Sequence, residues 1–321
     1  MGNMKIAWGE SAGTGSILHH LIREDGKKDP LFSTFAALSP AFQWSWDNSP
    51  DSELDMIYKS FSNLSGCGYE YNINCLEDSS LEKLILANQK LFSQARTKGF
   101  FPVGPAVDEV WIQSIPAVSF YHDKYWKGIE AAIISHCANE PYSFTPKITT
   151  QAEFDEYLRR FFPSENLENV RTAIRERYDC AVDLNGNFQK CLAIVIRDAM
   201  FTCNTRDLFQ AYSEVSYMMQ YAFPGIEFAV HASDLIPLFL NSQQEVIDLL
   251  HEDIGPFYAW FLGNETPRTY KNYFTSFALT GDPNKGLSSP KVAWPVADGS
   301  GDELSGVMNV GLLPRFSPCH R

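Results

Sequence analysis

No apolar stretch in the 321 residues approaches the roughly 18 needed to suggest a membrane-spanning helix. Runs of lysine and arginine are missing too. With 26 basic against 39 acidic side chains the net charge is −13, a balance that repels phosphate backbones and argues against nucleic acid as a partner. The seven cysteines, at positions 67, 75, 137, 180, 191, 203 and 319, include no C-x-x-C pair, which removes the commonest signature of a structural zinc site. No metal and no cofactor is expected. Met1 to Trp8 holds no charged segment followed by an apolar one, so no signal peptide is read there. Neither an internal repeat, a low-complexity tract nor a long linker interrupts the chain, and residues 1–321 are read as a single domain.

Hydrophobic residues at 45% and charged residues at 20% fall in the range of soluble globular proteins. The 23 Phe and 14 Tyr fit either a large core or an apolar substrate gorge, and composition does not choose between them. Cys67 and Cys75 bracket a short loop rich in Gly, Asn and Tyr, a spacing that permits a small disulfide ring. The sequons Asn63-Leu64-Ser65 and Asn264-Glu265-Thr266 permit passage through a secretory compartment without establishing it.

The chain alternates strand-like and helix-like patterns, which argues for an α/β fold with a largely parallel sheet. Met4 to Trp8 is β-prone, and Ile17, Leu18, Leu21 and Ile22 then share a helical face. Residues 31–38 read as a second strand. An amphipathic helix is expected over 80–98, where Leu81, Leu84, Ile85, Asn88, Leu91 and Phe92 recur at helical spacing. Ile129, Ala131, Ala132, Ile133 and Ile134 mark a buried strand over 128–135. Several helices are expected over 151–214, broken near Pro163 and Gly186, followed by a strand over 215–223. Residues 243–280 read as two helices divided at Gly263 and Pro267.

The segment between the first strand and the first helix, Gly9-Glu10-Ser11-Ala12-Gly13, fits G-x-S-x-G. A serine on a strained strand-to-helix turn projects its hydroxyl above the sheet, next to a helix N-terminus that favours negative charge. Both glycines, Gly9 and Gly13, are expected to relieve crowding there. The bare pattern arises by chance in roughly one chain in ten of this length, and an ordinary Gly/Ser turn is the competing reading. The flanking strand and helix favour a nucleophile. Glu10 is expected to point away from the serine hydroxyl and to pack locally.

A serine hydroxyl needs a base to take its proton and an acid to hold that base. The chain order for such a site is Ser, then Asp or Glu, then His. Glu140 follows the strand at 128–135, and His231 lies in the loop after the strand at 215–223, so order and loop position both fit. His19 and His20 sit on the helix after the serine, His122 and His136 precede Glu140, and His251 and His320 have no supporting pattern. Each of these is read as a surface or core histidine.

Taken in order, four segments resemble the type-B carboxylesterases, the family of cholinesterases, fungal lipases and related esterases. Trp8-Gly9-Glu10-Ser11-Ala12-Gly13 resembles the nucleophile segment. Pro102-Val103-Gly104-Pro105-Ala106-Val107-Asp108 resembles the "PVVDG" region, with Glu109 where glycine is usual. His231-Ala232-Ser233-Asp234-Leu235, with Phe239, resembles the histidine segment. Phe274 to Asn284, followed by Trp294-Pro295, resembles the C-terminal signature.

This resemblance implies a partial α/β-hydrolase fold, a mostly parallel sheet flanked by helices with its N-terminal strands missing. It implies Ser11 as nucleophile, Glu140 as orienting acid, His231 as general base, and the Ala12 N–H as an oxyanion donor. It also implies a Cys67–Cys75 bridge, a small-molecule or lipid ester as substrate, and secretion of a full-length parent. Nothing in the sequence identifies a protein partner. Two departures stand out. Pro141 follows the acid where family members carry glycine, and no HGGG-type oxyanion segment occurs in the chain. From the second, weak or no activity is expected of the chain alone, and from the missing N-terminal strands an unpaired sheet edge at Lys5 to Trp8 that favours aggregation or dependence on a partner. A non-enzymatic binding or adhesion module is the second reading. Catalytically dead relatives usually lack a triad residue, however, and all three are present here. An incomplete gene product without a function of its own is the third.

Overall fold

The computed structural model describes residues 5–41, 48–93, 101, 103–240, 242, 244–248, 265–286, 292–299 and 304–311. Met4, residues 94–98, Pro102, His251, Gly263, Asn264, Cys319 and His320, all named above, lie outside the described residues. The chain divides into two compact units, one made of residues 1–42, 116–143 and 197–321, the other of residues 43–115 and 144–196.

Among the described residues, the first unit is built on five parallel strands in the order β1-β2-β3-β4-β5. They are β1 (Ile6–Glu10), β2 (Thr34–Leu38), β3 (Ala131–Cys137), β4 (Ser216–Tyr221) and β5 (Met308–Val310). β2 is buried at every position, as expected of a parallel strand covered on both faces. Its alternate residues serve two layers. Ala36 and Leu38 join Ile133, Met219 and Tyr221 in a cluster with Tyr270, Tyr273, Phe274 and Phe277 of the long C-terminal helix, Glu265–Thr280. The other face is covered by α1 (Ala12–Gly26), which packs on β1 and β2, and by the helix Cys203–Ala211, which packs on β3. Each large core side chain withdrawn from water here contributes about 1.5–3 kcal/mol. Asn284 ties the C-terminal signature together: its Oδ1 accepts the Trp294 N–H at 2.7 Å and its Nδ2 donates to the Trp294 carbonyl at 2.8 Å.

Two expectations shift in this unit. The third strand begins at Ala131 rather than at 128 and runs on to Cys137, because register with Thr34 of β2 starts at Ala131. Pro267 does not divide a helix. It lies in the first turn of Glu265–Thr280, where a missing N–H costs nothing. The β1 strand is at the edge of the described sheet, the place the sequence predicts for it.

The second unit is helical. Glu53–Leu64, Ile73–Glu77 and Leu81–Ser93 surround a disulfide between Cys67 and Cys75. Gln151–Phe161, Glu168–Arg177 and the helix starting at Phe188 accompany a second disulfide, Cys180–Cys191, which the sequence left unassigned. Thr150 and Glu153 form a reciprocal capping box at the start of Gln151–Phe161, satisfying two helix-end donors. Within the region resembling "PVVDG", Asp108 accepts the N–H groups of Val110, Trp111 and Ile112. Glu109, standing where glycine is usual, has φ 58°, a conformation in which glycine is least strained.

Candidate active site

Ser11 connects β1 to α1 with φ 56° and ψ −123°, a backbone combination that costs a non-glycine residue on the order of 1–3 kcal/mol. The turn is held from several sides. The Ser11 N–H donates to the Leu38 carbonyl at 3.0 Å, and its carbonyl accepts the N–H of Gly15 at 3.0 Å and of Ala41 at 3.3 Å. The buried Thr14 hydroxyl engages the carbonyls of Gly9 at 2.7 Å and Leu38 at 3.0 Å.

The two glycines differ. A Cβ on Gly9 would lie 2.5 Å from the Gly13 carbonyl carbon and 2.6 Å from the Thr14 nitrogen, whereas a Cβ on Gly13 would meet nothing within 4 Å among the described residues. The crowding expected at both positions is therefore found only at Gly9. What Gly9 abuts is the Gly13 backbone, so the constraint falls on Gly9 alone.

Three loops at the ends of parallel strands bring the predicted site residues together. The Glu140 segment is a short 3-10 turn, Glu140–Ser143, directly after β3. Pro141 is buried within it and leaves Glu140 pointing into the site. The His231 loop is laid beside it by a parallel bridge between Asn139 and Val230 and by the Asn139 N–H donating to the Ala229 carbonyl at 2.9 Å. His231 Nε2 lies 2.7 Å from Ser11 Oγ, and His231 Nδ1 lies 2.5 Å from Glu140 Oε2. The second Glu140 oxygen accepts the Cys137 N–H at 2.6 Å. Glu140 is 2% exposed, so these contacts operate with little solvent screening. Phe201 lies over the imidazole at 4.8 Å between ring centroids.

Ala12 is the first residue of α1 and is exposed, so its N–H belongs to the helix-end donors without an intrahelical acceptor. Among the described residues no group of three His, Cys, Asp or Glu side chains is arranged to hold a metal ion. No helix among them is long and apolar enough to cross a membrane.

Glu10 departs from its expected place. Its Oε1 lies 3.3 Å from His231 Nε2, on the same side of the ring as the serine. The residue preceding a strained elbow need not follow ordinary strand alternation, and this one turns its carboxyl to the imidazole. Burial raises its pKa, partly opposed by His231 and reinforced by Glu140. For His231 burial acts to lower the pKa, but the hydrogen bond and charge of Glu140, with Glu10 and Asp234 behind them, raise it above the ordinary histidine value. Elsewhere His136, on β3, bonds to Gln220 at 3.2 Å, and His19 bonds to the Gly15 carbonyl at 2.6 Å. The first joins neighbouring strands and the second stays within one helix turn.

Sequence reading misjudged Glu10 and missed Phe201 and Asp234. Only Asp234 carried a legible signal: an acid three positions past the histidine, inside the matched histidine segment.

Comparison with known proteins gives the family and the fold. The sequence pattern of the carboxylesterase family matches residues 5–315. A secreted lipase of Arthroderma benhamiae is 30% identical over 309 residues, covering 95% of this chain and 55% of the relative. A secreted triacylglycerol lipase of Gibberella zeae is 22% identical over 326 residues, covering 90% and 50%. The chain thus spans about half the length of these relatives. Among solved structures, Aspergillus niger EstA superposes with a TM-score of 0.67 at 16% identity, covering 95% of this chain and 59% of that one. A thermophilic PNB esterase gives 0.68 at 20%, with the same coverage. At those identities the likeness is one of fold, and it is the α/β-hydrolase fold.

Proposed function

Because the chain belongs to the carboxylesterase family, we propose that it carries the catalytic triad of a serine carboxylic-ester hydrolase, with Ser11 as nucleophile, His231 as general base and Glu140 as orienting acid. The observation that carries the proposal is the hydrogen-bonded series Ser11 Oγ, His231 Nε2, His231 Nδ1, Glu140 Oε2.

Glu140 accepts the Nδ1–H and so fixes the tautomer in which Nε2 carries a lone pair facing the serine hydroxyl. Nε2 takes the hydroxyl proton as Oγ bonds to the ester carbonyl carbon. The carbonyl oxygen becomes negative and faces the Ala12 N–H at the N-terminus of α1. The imidazolium then returns its proton to the departing alcohol, leaving an acyl group on Ser11. Water, deprotonated by the same imidazole, attacks that acyl group, and the carboxylic acid leaves as Ser11 recovers its proton. Glu10 adds a second carboxyl beside Nε2 that favours the imidazolium in both steps.

We infer further that the substrate class is carboxylic esters, small or lipid. The relatives named as lipases support the lipid arm, and the acyl chain and alcohol are left open. The same relatives are named as secreted, and the two disulfides suit an oxidising compartment. Both support a secreted parent protein. Residues 1–321 are proposed to be part of one catalytic domain. Hydrolysis of short- and medium-chain p-nitrophenyl esters by the purified chain, beside Ser11→Ala, tests the reading. Turnover lost in the variant supports it, and equal rates in both would reject it for this chain.

A further inference from the structure

Within electrostatic reach of the imidazole lies a further acid that the proposed mechanism does not use. Asp234 sits in the 3-10 turn Ser233–Leu235, entered through Ala232 at φ 68°, and is 0% exposed. Neither of its carboxyl oxygens has a hydrogen-bond partner of regular geometry among the described residues. Its neighbour Ser233 places Oγ 3.7 Å from Cys137 Sγ, and Ser39 Oγ lies 3.9 Å from the same sulfur. The Cys137 N–H is the group bonded to Glu140. The two acids therefore share one buried polar space at the end of β3.

We propose that Asp234 is a positioning residue for the Glu140–His231 pair, a buried carboxyl that keeps its proton beside the Glu140 carboxylate, so that Glu140 alone presents negative charge to Nδ1. Two carboxyls in one water-excluded site do not ionise together without a large penalty. Glu140 has the Cys137 N–H and His231 Nδ1 to stabilise its charge. Asp234 has no equivalent donor pair, so the proton resides there.

The electrostatics agree with the geometry. Burial, then the charges of Glu140 and Glu10, push the Asp234 pKa up to about 7, against the opposing effects of His231 and the Cys137 thiol. Asp234 in turn raises His231. The titratable groups facing this space are Glu140 and Cys137 at the end of β3, Glu10 at the end of β1, and His231, with His136 on β3 facing Glu140. Each of Asp234 and His231 shifts the other, so each titration bears the mark of the other.

The inference rests on His231 being the base, and its test does not use turnover. Histidine-labelled chain is titrated by NMR, with the His231 signal identified by its absence in His231→Ala. In the wild type the His231 curve is drawn out beyond a single-site titration. In Asp234→Asn it sharpens and its midpoint moves to lower pH. Superimposable curves in the two proteins would overturn the proposal. Should Asp234→Asn fail to fold, infrared spectroscopy of the aspartate-labelled wild type decides the same question. A carboxylic-acid carbonyl band that persists below neutrality and vanishes above it is expected, and no such band just below neutrality would overturn the proposal. Failure of the esterase reading would appear differently, as absent turnover with the His231–Asp234 coupling intact.

Discussion

His231 Nε2 stands 2.7 Å from the Ser11 hydroxyl although 220 positions separate the two residues in sequence. Parallel strands explain the approach. Because β1, β3 and β4 run the same way, the loops leaving their C-terminal ends gather at one rim of the sheet, where ligands bind in open α/β folds. The contact is thus a product of topology, and its consequences can be tested one residue at a time.

Glu140→Gln should retain the fold but lower ester turnover on the order of 10³–10⁴-fold, since an amide favours the wrong imidazole tautomer. Steady-state kcat beside a circular dichroism spectrum checks this. A loss below tenfold would mean that Glu140 does not set the tautomer.

The acid side of the activity profile is expected to lie above the ordinary histidine range. The imidazole acts as a base only when neutral, and its raised pKa means that activity falls as pH drops through that raised value. Removing the nearby negative charge in Glu10→Gln should move the limb to lower pH. The dependence of kcat/KM on pH in the two proteins decides it, and an unmoved limb would show that Glu10 does not act on the imidazole.

Gly9→Ala and Gly13→Ala should behave oppositely. At Gly9 the added methyl meets backbone at 2.5 Å, with no flexible side chain to give way, so a loss of about 2 kcal/mol or more is expected. At Gly13 the methyl enters open space within the first turn of α1, and a change between zero and a gain of about 1 kcal/mol is expected. Thermal unfolding of both variants distinguishes the two positions.

How far the sequence could be read follows from where each signal lives. That Ser11, Glu140 and His231 meet was legible because strand, turn and helix patterns are local and the resemblance supplied the order of the three. The Cys67–Cys75 bridge came through the resemblance, whereas Cys180–Cys191 closes a loop between helices whose meeting no local pattern encodes. The start of β3 was misplaced because Ile129 is apolar and buried yet outside the strand, and burial alone does not reveal register. Glu10 was misjudged because ordinary strand alternation does not carry through a residue adjoining a left-handed turn. Phe201 reaches His231 through tertiary packing, to which sequence spacing is blind.

Cys191→Ser should lower stability by about 2–4 kcal/mol by releasing the loop closed with Cys180. Denaturant unfolding with and without reductant measures the effect. A wild type whose midpoint ignores reductant, while free-thiol titration shows the bridge opened, would contradict it.

The most direct test of the central claim is covalent. The chain is treated with an organophosphorus ester, digested, and its adducts mapped by mass spectrometry in the wild type and in His231→Ala. The account predicts one adduct, on Ser11, with labelling slowed about 10²–10⁴-fold in the variant. An adduct on another residue, no adduct, or equal labelling rates in the two proteins would contradict it.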